Sequence, residues 1–313
     1  MNSQPQLSVI MVVKNCADFL QEAVDSVLLQ SMWDFEFIIV DDASSDGTLE
    51  MLQAASQKDG RIRLLTHPTK GLTAGLNVAL KLVRSEFTAR MDGDDVCLPT
   101  RFEKQLSYLH THPECVAVGS EVMMIDAQGR KISPRSHPSF HDGIRRRLLV
   151  GDGAAMTHPT IMMRTVSVNQ VGGYDERFET AQDLDIFLKL GEVGQLHNLS
   201  ETLLLWRQHR ASVNHTKHHT WRRLKALAVS ETIKRIGAES YGAALFIEQE
   251  APTLAQTDLQ IAERAFYSGN SSTAVSYLLR SLCSPELRLT ALRRALRWAP
   301  QLLISNFRRI AKA

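Results

Sequence analysis

Cysteine is scarce in this sequence: Cys16, Cys97, Cys115 and Cys283 are the only four in 313 residues, with no CxxC pair or other metal-ligand spacing. That argues against a disulfide framework or a zinc site, and small core cysteines of a reducing compartment are expected. Long apolar runs are lacking as well. The opening MNSQPQLSVIMVV has no basic stretch, and its apolar segment is too short for a signal sequence or a span, so a cytoplasmic protein is expected. Neither sign of charge prevails: 36 Lys and Arg against 34 Asp and Glu leave a net charge of +2. No basic platform interleaved with aromatics marks a nucleic-acid surface. What remains is an ordinary globular composition, long enough for one large domain with its own core and a smaller addition.

Strand-length apolar runs at Leu7–Val13, Phe35–Val40, Ile62–Thr66 and Phe87–Met91 alternate with helix-length segments at Ala17–Gln30, Thr48–Ser56 and Thr73–Leu82. The alternation predicts an α/β fold of βαβ units, with a mostly parallel sheet covered by helices on both faces. Right-handed crossovers leave the strand C-termini on one edge, outside which ligands bind in open sheets. The polar exceptions sit there: Lys14 and Asn15, then Asp41 and Asp42, then Asp92 to Asp95. Beyond Pro99 a helix is expected over TRFEKQLSYLHTH, then a strand and a hairpin turning at Ala127–Gly129. A strand is expected at MTHPTIMMR, a helix at ETAQDLDIFLKLGEVG and a last strand at ETLLLWRQH. From about Trp221 the pattern is helical, and one helix-turn-helix copy there does not make a solenoid. We place a boundary near residue 215, giving an α/β domain over 1–215 and a smaller all-helical region over 216–313.

Three carboxylates in four residues, Asp92, Asp94 and Asp95 of MDGDD, repel one another unless solvent, a helix N-terminus or a cation offsets them. EF-hand spacing is absent, and Asp92-Gly93-Asp94 instead forms a D-x-D at a strand end. Mn²⁺ or Mg²⁺ would take one or two such carboxylates and fill its other positions with phosphate oxygens and water. With Asp41 two strands away, the edge suits a nucleoside diphosphate and a divalent cation. Other readings stay open at single residues. Asp42 with Ser44 or Ser45 can cap the next helix, Asp95 can cap the helix after Pro99, and Asp185 can lie on a solvated helix face.

The blocks LSVIMVVKNCADFLQEAVDSVLLQSMWDFEFIIVDDASSDGT, GLTAGLNVAL, ARMDGDD, GGYDERF and AQDLDIFLKL together resemble family 2 of the glycosyltransferases, the inverting GT-A family, over about residues 7 to 210. The resemblance implies a Rossmann-like GT-A fold. It implies transfer of a hexose or N-acetylhexosamine from a nucleoside diphosphate sugar, with UDP expected, to a saccharide or lipid-linked acceptor in bacterial surface polysaccharide assembly. By the same resemblance Asp41 contacts the nucleobase, helped by the backbone near Val13 and Asn15, Asp92 faces ribose and metal, and Asp94 ligates the metal. Asp183 takes the place of the general base, although Gln182 precedes it where Glu is common. His209 is expected in the metal shell, and His158 of HPT and Trp206 beside the acceptor. Two readings stay open for Lys70 and Asn77: reaching phosphate or base, or surface and capping roles. The Q-x-x-R-W motif of processive synthases is absent, which favours one sugar per encounter. Two rivals are a catalytically silent nucleotide-sugar-binding subunit, against which Asp183 argues, and a phospho-acceptor signalling domain, which leaves the second acidic cluster unexplained.

The tail LRLTALRRALRWAPQLLISNFRRIAKA holds Arg288, Arg293, Arg294, Arg297, Arg308, Arg309 and Lys312 and no acid. Leucines at spacings of three, four and seven give it one apolar and one basic face. Two readings stay open: packing against its own domain, or peripheral contact with an anionic membrane surface on the cytoplasmic side.

Overall fold

The structure, a computed structural model, describes residues 4–66, 71–209, 218–237, 254–284 and 287–298. Strands β1 (Leu7–Val13), β2 (Phe35–Asp41), β3 (Ile62–Thr66) and β4 (Phe87–Met91) alternate with helices α1 (Ala17–Leu28), α2 (Thr48–Lys58) and α3 (Leu72–Leu80). β1, β2 and β4 are buried along their whole length, so apolar residues predominate in them, with Ser8, Glu36, Thr88 and Arg90 among the buried polar exceptions. Successive side chains feed two cores on opposite faces: Ile10, Val12, Ile38 and Val40 enter one, and Val9, Met11, Phe37 and Ile39 the other.

After these come β5 (Val96–Cys97), α4 (Arg101–Thr111), β6 (Cys115–Asp126), β7 (Lys131–Arg135), α5 (His141–Leu149), β8 (Met162–Arg164), α6 (Thr165–Gln170), α7 (Gln182–Val193) and β9 (Gln195–Gln208). The sheet order is β3-β2-β1-β4-β8-β6-β9-β5, with β7 on β6. β3, β2, β1 and β4 are mutually parallel, whereas β8 runs antiparallel to both β4 and β6, and β5 to β9. The parallel character therefore belongs to one half of the sheet. The stretch expected as a strand at MTHPTIMMR is strand only at Met162–Arg164, because His158–Thr160 forms a 3₁₀ turn around Pro159, which cannot donate to a ladder.

Helices α8 (His218–Ile236), α9 (Leu254–Tyr267) and α10 (Ser271–Leu282) follow, then a helix over 288–298. The chain divides into two compact units. One comprises Met1–Val122, Ser136–Trp206 and Lys217–Ile247, the other Met123–Arg135, Arg207–Thr216 and Glu248–Ala313. This differs from the single cut expected near residue 215, for a packing reason. Ala228, Val229 and Ile233 of α8 are buried in a core with Leu184 and Phe187 of α7. In the second unit Asn270 and Thr273 donate to the Ile132 and Lys131 carbonyls of β7 at 2.8 and 3.0 Å, and Trp298 stacks on Phe266. All four cysteines are free, as expected, but Cys283 is exposed rather than core. Among the described residues no helix is long and apolar enough to cross a membrane.

Candidate active site

Strand register sets the first part of the site. Val13 of β1 pairs with Asp41 of β2, and Met11 of β1 with Met91 of β4, so the three C-termini open onto one edge. The loops after β1 and β2 are fastened to each other. Asp42 N donates to the Val13 carbonyl at 2.9 Å, Asn15 N to Ser44 Oγ at 3.0 Å and Ser45 N to Asn15 Oδ1 at 2.8 Å. The backbone N–H groups at the start of α1 are met by side chains of the second loop, Cys16 N by Thr48 Oγ1 and Ala17 N by Asp46 Oδ2. Both loops take tight turns, with Asn15 at φ 50° and Ala43 at φ 55°. Asp46, whose Oδ1 accepts from Thr48 N, closes the start of α2, the role expected of Asp42 or a serine; Asp42 is buried against Lys14.

Within this frame Asp41 is 2% exposed. Its Oδ2 accepts from Ser44 N at 3.2 Å, while its buried Oδ1 has no hydrogen-bond partner. A buried carboxylate oxygen without a donor is costly unless a ligand supplies one. Beside it, the ligand atoms of Asp92, Asp94 and Asp95 all lie within 4.8 Å of one another. Gly93 makes their turn possible: a Cβ there would meet Val13 Cγ1 at 2.7 Å and Cys16 Sγ at 3.0 Å. Burial pushes the Asp92 carboxyl up to about 6, Asp94 and Asp183 add to this, and its ion-pair partner Arg90 opposes it. Three clustered carboxylates, one already raised, form an oxygen donor set suited to a hard divalent cation.

Asp183 stands in the first turn of α7, its Oδ1 accepting from Leu184 N at 2.7 Å. Burial raises its pKa, while Lys225 of α8 and Arg90 pull it back. On the same side His158, 6% exposed, shares a 2.8 Å hydrogen bond with the Tyr174 hydroxyl, and burial next to Arg90 holds its pKa well below the ordinary value, so the ring is neutral. Asn77 fastens this segment, accepting from Tyr174 N at 3.0 Å and donating to its carbonyl at 2.8 Å.

Comparison with known proteins decides the family. The description of glycosyl transferase family 2 matches residues 8–172. EpsE of Bacillus subtilis is 38% identical over 209 residues, 65% of this chain and 73% of that one. The O-antigen biosynthesis glycosyltransferase WbnJ of Escherichia coli is 32% identical over 212 residues, 66% and 81% of the two chains. This chain belongs to glycosyl transferase family 2. Among solved structures, S. aureus TarS 1-349 in complex with UDP-GlcNAc aligns at a TM-score of 0.61 and 20% identity, covering 97% of this chain and 89% of that one. The mannosyltransferase PcManGT of Pyrobaculum calidifontis, in complex with GDP-Man and Mn²⁺, aligns at 0.53 and 16%, covering 98% and 85%. Both likenesses bear on the fold, which is of the GT-A type.

In this glycosyltransferase Val13, Asn15, Asp41, Asp92 and Asp94 come together at one edge, and Asp183 is near enough to act on the Asp92 charge. Trp206 is half-buried against one of the two cores, and His209 follows β9 in the second unit. Lys70 lies outside the described residues. Asp185, expected on a solvated face, is instead 2% exposed and paired with Lys189 one turn on at 2.6 Å. Three residues escaped the sequence reading: Arg90, Tyr174 and Lys225. Arg90 carried a usable signal, a charge inside a strand buried along its whole length. Lys225 carried none, being one of several basic residues in WRRLKALAV.

Proposed function

We propose that this glycosyltransferase moves a hexose or N-acetylhexosamine from a UDP-sugar to a saccharide or lipid-linked acceptor, with inversion, in cell-surface polysaccharide biosynthesis. The observation that carries the reading is the meeting of an unpartnered Asp41 oxygen, the Asp92–Asp94–Asp95 cluster and a separate half-buried Asp183 at one sheet edge. WbnJ, an O-antigen biosynthesis glycosyltransferase, supports the biosynthetic setting, and the TarS complex with UDP-GlcNAc supports a UDP-sugar. Asp41 Oδ1 accepts from a nucleobase N–H, with the backbone near Val13 and Asn15 forming the rest of the base seat, and Asp92 faces the ribose.

Mn²⁺ or Mg²⁺, held by Asp94, would supply neutralisation of the leaving diphosphate. Asp183 takes the acceptor hydroxyl's proton while that oxygen bonds to the anomeric carbon, and the carbon–oxygen bond to the diphosphate breaks with its electron pair leaving on UDP. His158 and Trp206 bound the acceptor side. A thermal-shift screen of nucleotide sugars with and without Mn²⁺ tests the reading: a UDP-sugar should raise the melting temperature in Mn²⁺ and much less in EDTA. Equal shifts by all nucleotides, or none, would overturn it.

Peripheral membrane contact is supported by the helix over 288–298. Ala291 and Trp298 are buried on one face, while Leu289, Leu292 and Leu296 stand 71, 47 and 70% exposed among exposed Arg288, Arg293 and Arg297. The rest of the basic tail lies outside the described residues. Full-length protein should bind vesicles containing anionic lipid and release them as salt rises; indifference to such vesicles would discard this contact.

A further inference from the structure

Lys225 is a lysine with 7% exposure, which the family reading leaves without a task. A buried ammonium needs a partner to offset its lost hydration. Asp183 borders the same space as that ammonium. A Cβ placed on Gly153 would lie 3.5 Å from Asp183 Oδ2 and 3.6 Å from Lys225 Nζ, so both charged atoms border the same small space over the 3₁₀ turn Gly153–Ala155. That turn is itself fixed, with Asp152 Oδ1 accepting from Ala154 N and Oδ2 bound by Arg147. The helices bearing the two groups are also locked together, since α8 packs on α7 and buries Ala228, Val229 and Ile233 beside it.

Gly153 adds a steric argument. Its φ is not in the left-handed region, so the backbone does not demand glycine. The missing side chain instead leaves open the space that the Asp183 and Lys225 tips border.

We propose that Lys225 is a positioning residue for Asp183: its buried ammonium, approaching over Gly153, holds the carboxylate charged and aimed for proton transfer from the acceptor. This rests on Asp183 being the base and deepens that reading by giving the base its support. The site crowds its acids, and Asp183 faces the charge of Asp92 as well as Arg90. Lys225 is the cation on the side of Asp183 provided by α8. It touches no substrate in this proposal and acts only through Asp183.

The test uses the full chain, with release of UDP from UDP-GlcNAc in Mn²⁺ as the probe reaction, either to water or to the acceptor when one is in hand. Lys225→Met keeps the length and apolar stem but removes the charge. It should lower kcat at least tenfold with the donor KM within about twofold, and Lys225→Arg should recover much of the loss. Adding Lys225→Met to Asp183→Asn should cost little more, because two residues acting as a unit are not additive. Unchanged kcat in Lys225→Met, or a loss that simply multiplies with that of Asp183→Asn, would overturn the proposal. If Lys225→Met does not fold, Gly153→Val gives the same decision, since its methyl groups enter the space between the two charges. It should lower kcat without changing donor KM, and unaltered kcat would count against the proposal. Full transfer by Asp183→Asn would instead remove the base assignment itself, a failure distinct from that of Lys225.

Discussion

β2 holds a buried acid near each of its ends, under opposite conditions. At the N-terminal end Glu36, 3% exposed, accepts from Ser8 Oγ at 2.6 Å, from Arg63 Nη1 at 2.6 Å, and from Arg84 N and Nε at 3.0 and 2.9 Å. Burial alone would raise its pKa, yet these bonds hold it below the ordinary carboxylate value. At the C-terminal end Asp41 keeps a buried oxygen without a donor, and Asp92 is pushed up to about 6. One end of the sheet satisfies its charge internally and is stable by itself. The other leaves acceptor capacity unfilled, as a binding edge does before its ligand arrives.

The largest effect should come from Asp183→Asn. Loss of a general base costs about 10²- to 10⁴-fold in rate, while UDP affinity in Mn²⁺ should stay near the wild-type value. Calorimetric UDP titration beside a transfer assay reads both. Near wild-type transfer would move the base elsewhere, with Asp185 the first residue to examine.

Glu36→Gln should do the reverse. It keeps the shape but removes the charge that donors from three residues share, and hydrogen bonds to charged groups are each worth about 1.5–3 kcal/mol. Arg63 and Arg84 reach solvent, with side chains 35 and 53% exposed, so water compensates part of that. Urea unfolding should show a loss of about 2 kcal/mol, with UDP affinity unchanged. Reduced UDP affinity would mean that the two ends are coupled and the contrast is false.

How much of this contrast was legible beforehand depends on the kind of residue. The four parallel strands were readable because strands covered on both faces are predominantly apolar, and Asp41 and Asp94 stood out where those runs stop. The antiparallel half was harder. β8 has three residues and is preceded by a proline turn, and β9 runs fourteen residues through polar positions such as His197, Asn198 and Glu201 that no alternation marks. The hairpin Met123–Arg135 was visible as a hairpin, but its membership in the second unit depends on hydrogen bonds from Asn270 and Thr273, well over a hundred residues away. Lys225 was invisible for the same reason: its meaning comes from Gly153 and Asp183, and local pattern does not encode such a meeting.

Asp41→Asn should have a smaller consequence than either change above. Its Oδ2 bond to Ser44 N can persist, so stability should hold, whereas the amide offers a donor where the nucleobase N–H needs an acceptor. UDP should bind roughly tenfold more weakly, about 1.4 kcal/mol. Undiminished binding would take Asp41 out of the base seat.

The smallest expected effect is one of pH, and the two ends should answer with opposite signs. Glu36 has a folded-state pKa below its unfolded one, so its contribution is present above the unfolded value and is lost as pH falls through the folded one. Asp92 is the other case. Its folded pKa, about 6, lies above the ordinary aspartate value of 3.8, so between those values the folded protein binds a proton that the unfolded chain does not. Stability then falls as pH rises through that window, because the slope follows protons bound unfolded minus protons bound folded. A divalent cation competes with that proton and removes the penalty, so the Mn²⁺-induced rise in melting temperature should grow from pH 5 to pH 7. Asp92→Asn in EDTA should lose the falling slope and at pH 7 melt slightly above wild type, since a like charge has left the cluster and Arg90 still has a carbonyl oxygen to meet. Should the mutant melt well below wild type in EDTA, the Arg90–Asp92 pair is a structural bond like those of Glu36, and the difference between the two ends of the sheet is smaller than their hydrogen bonding implies.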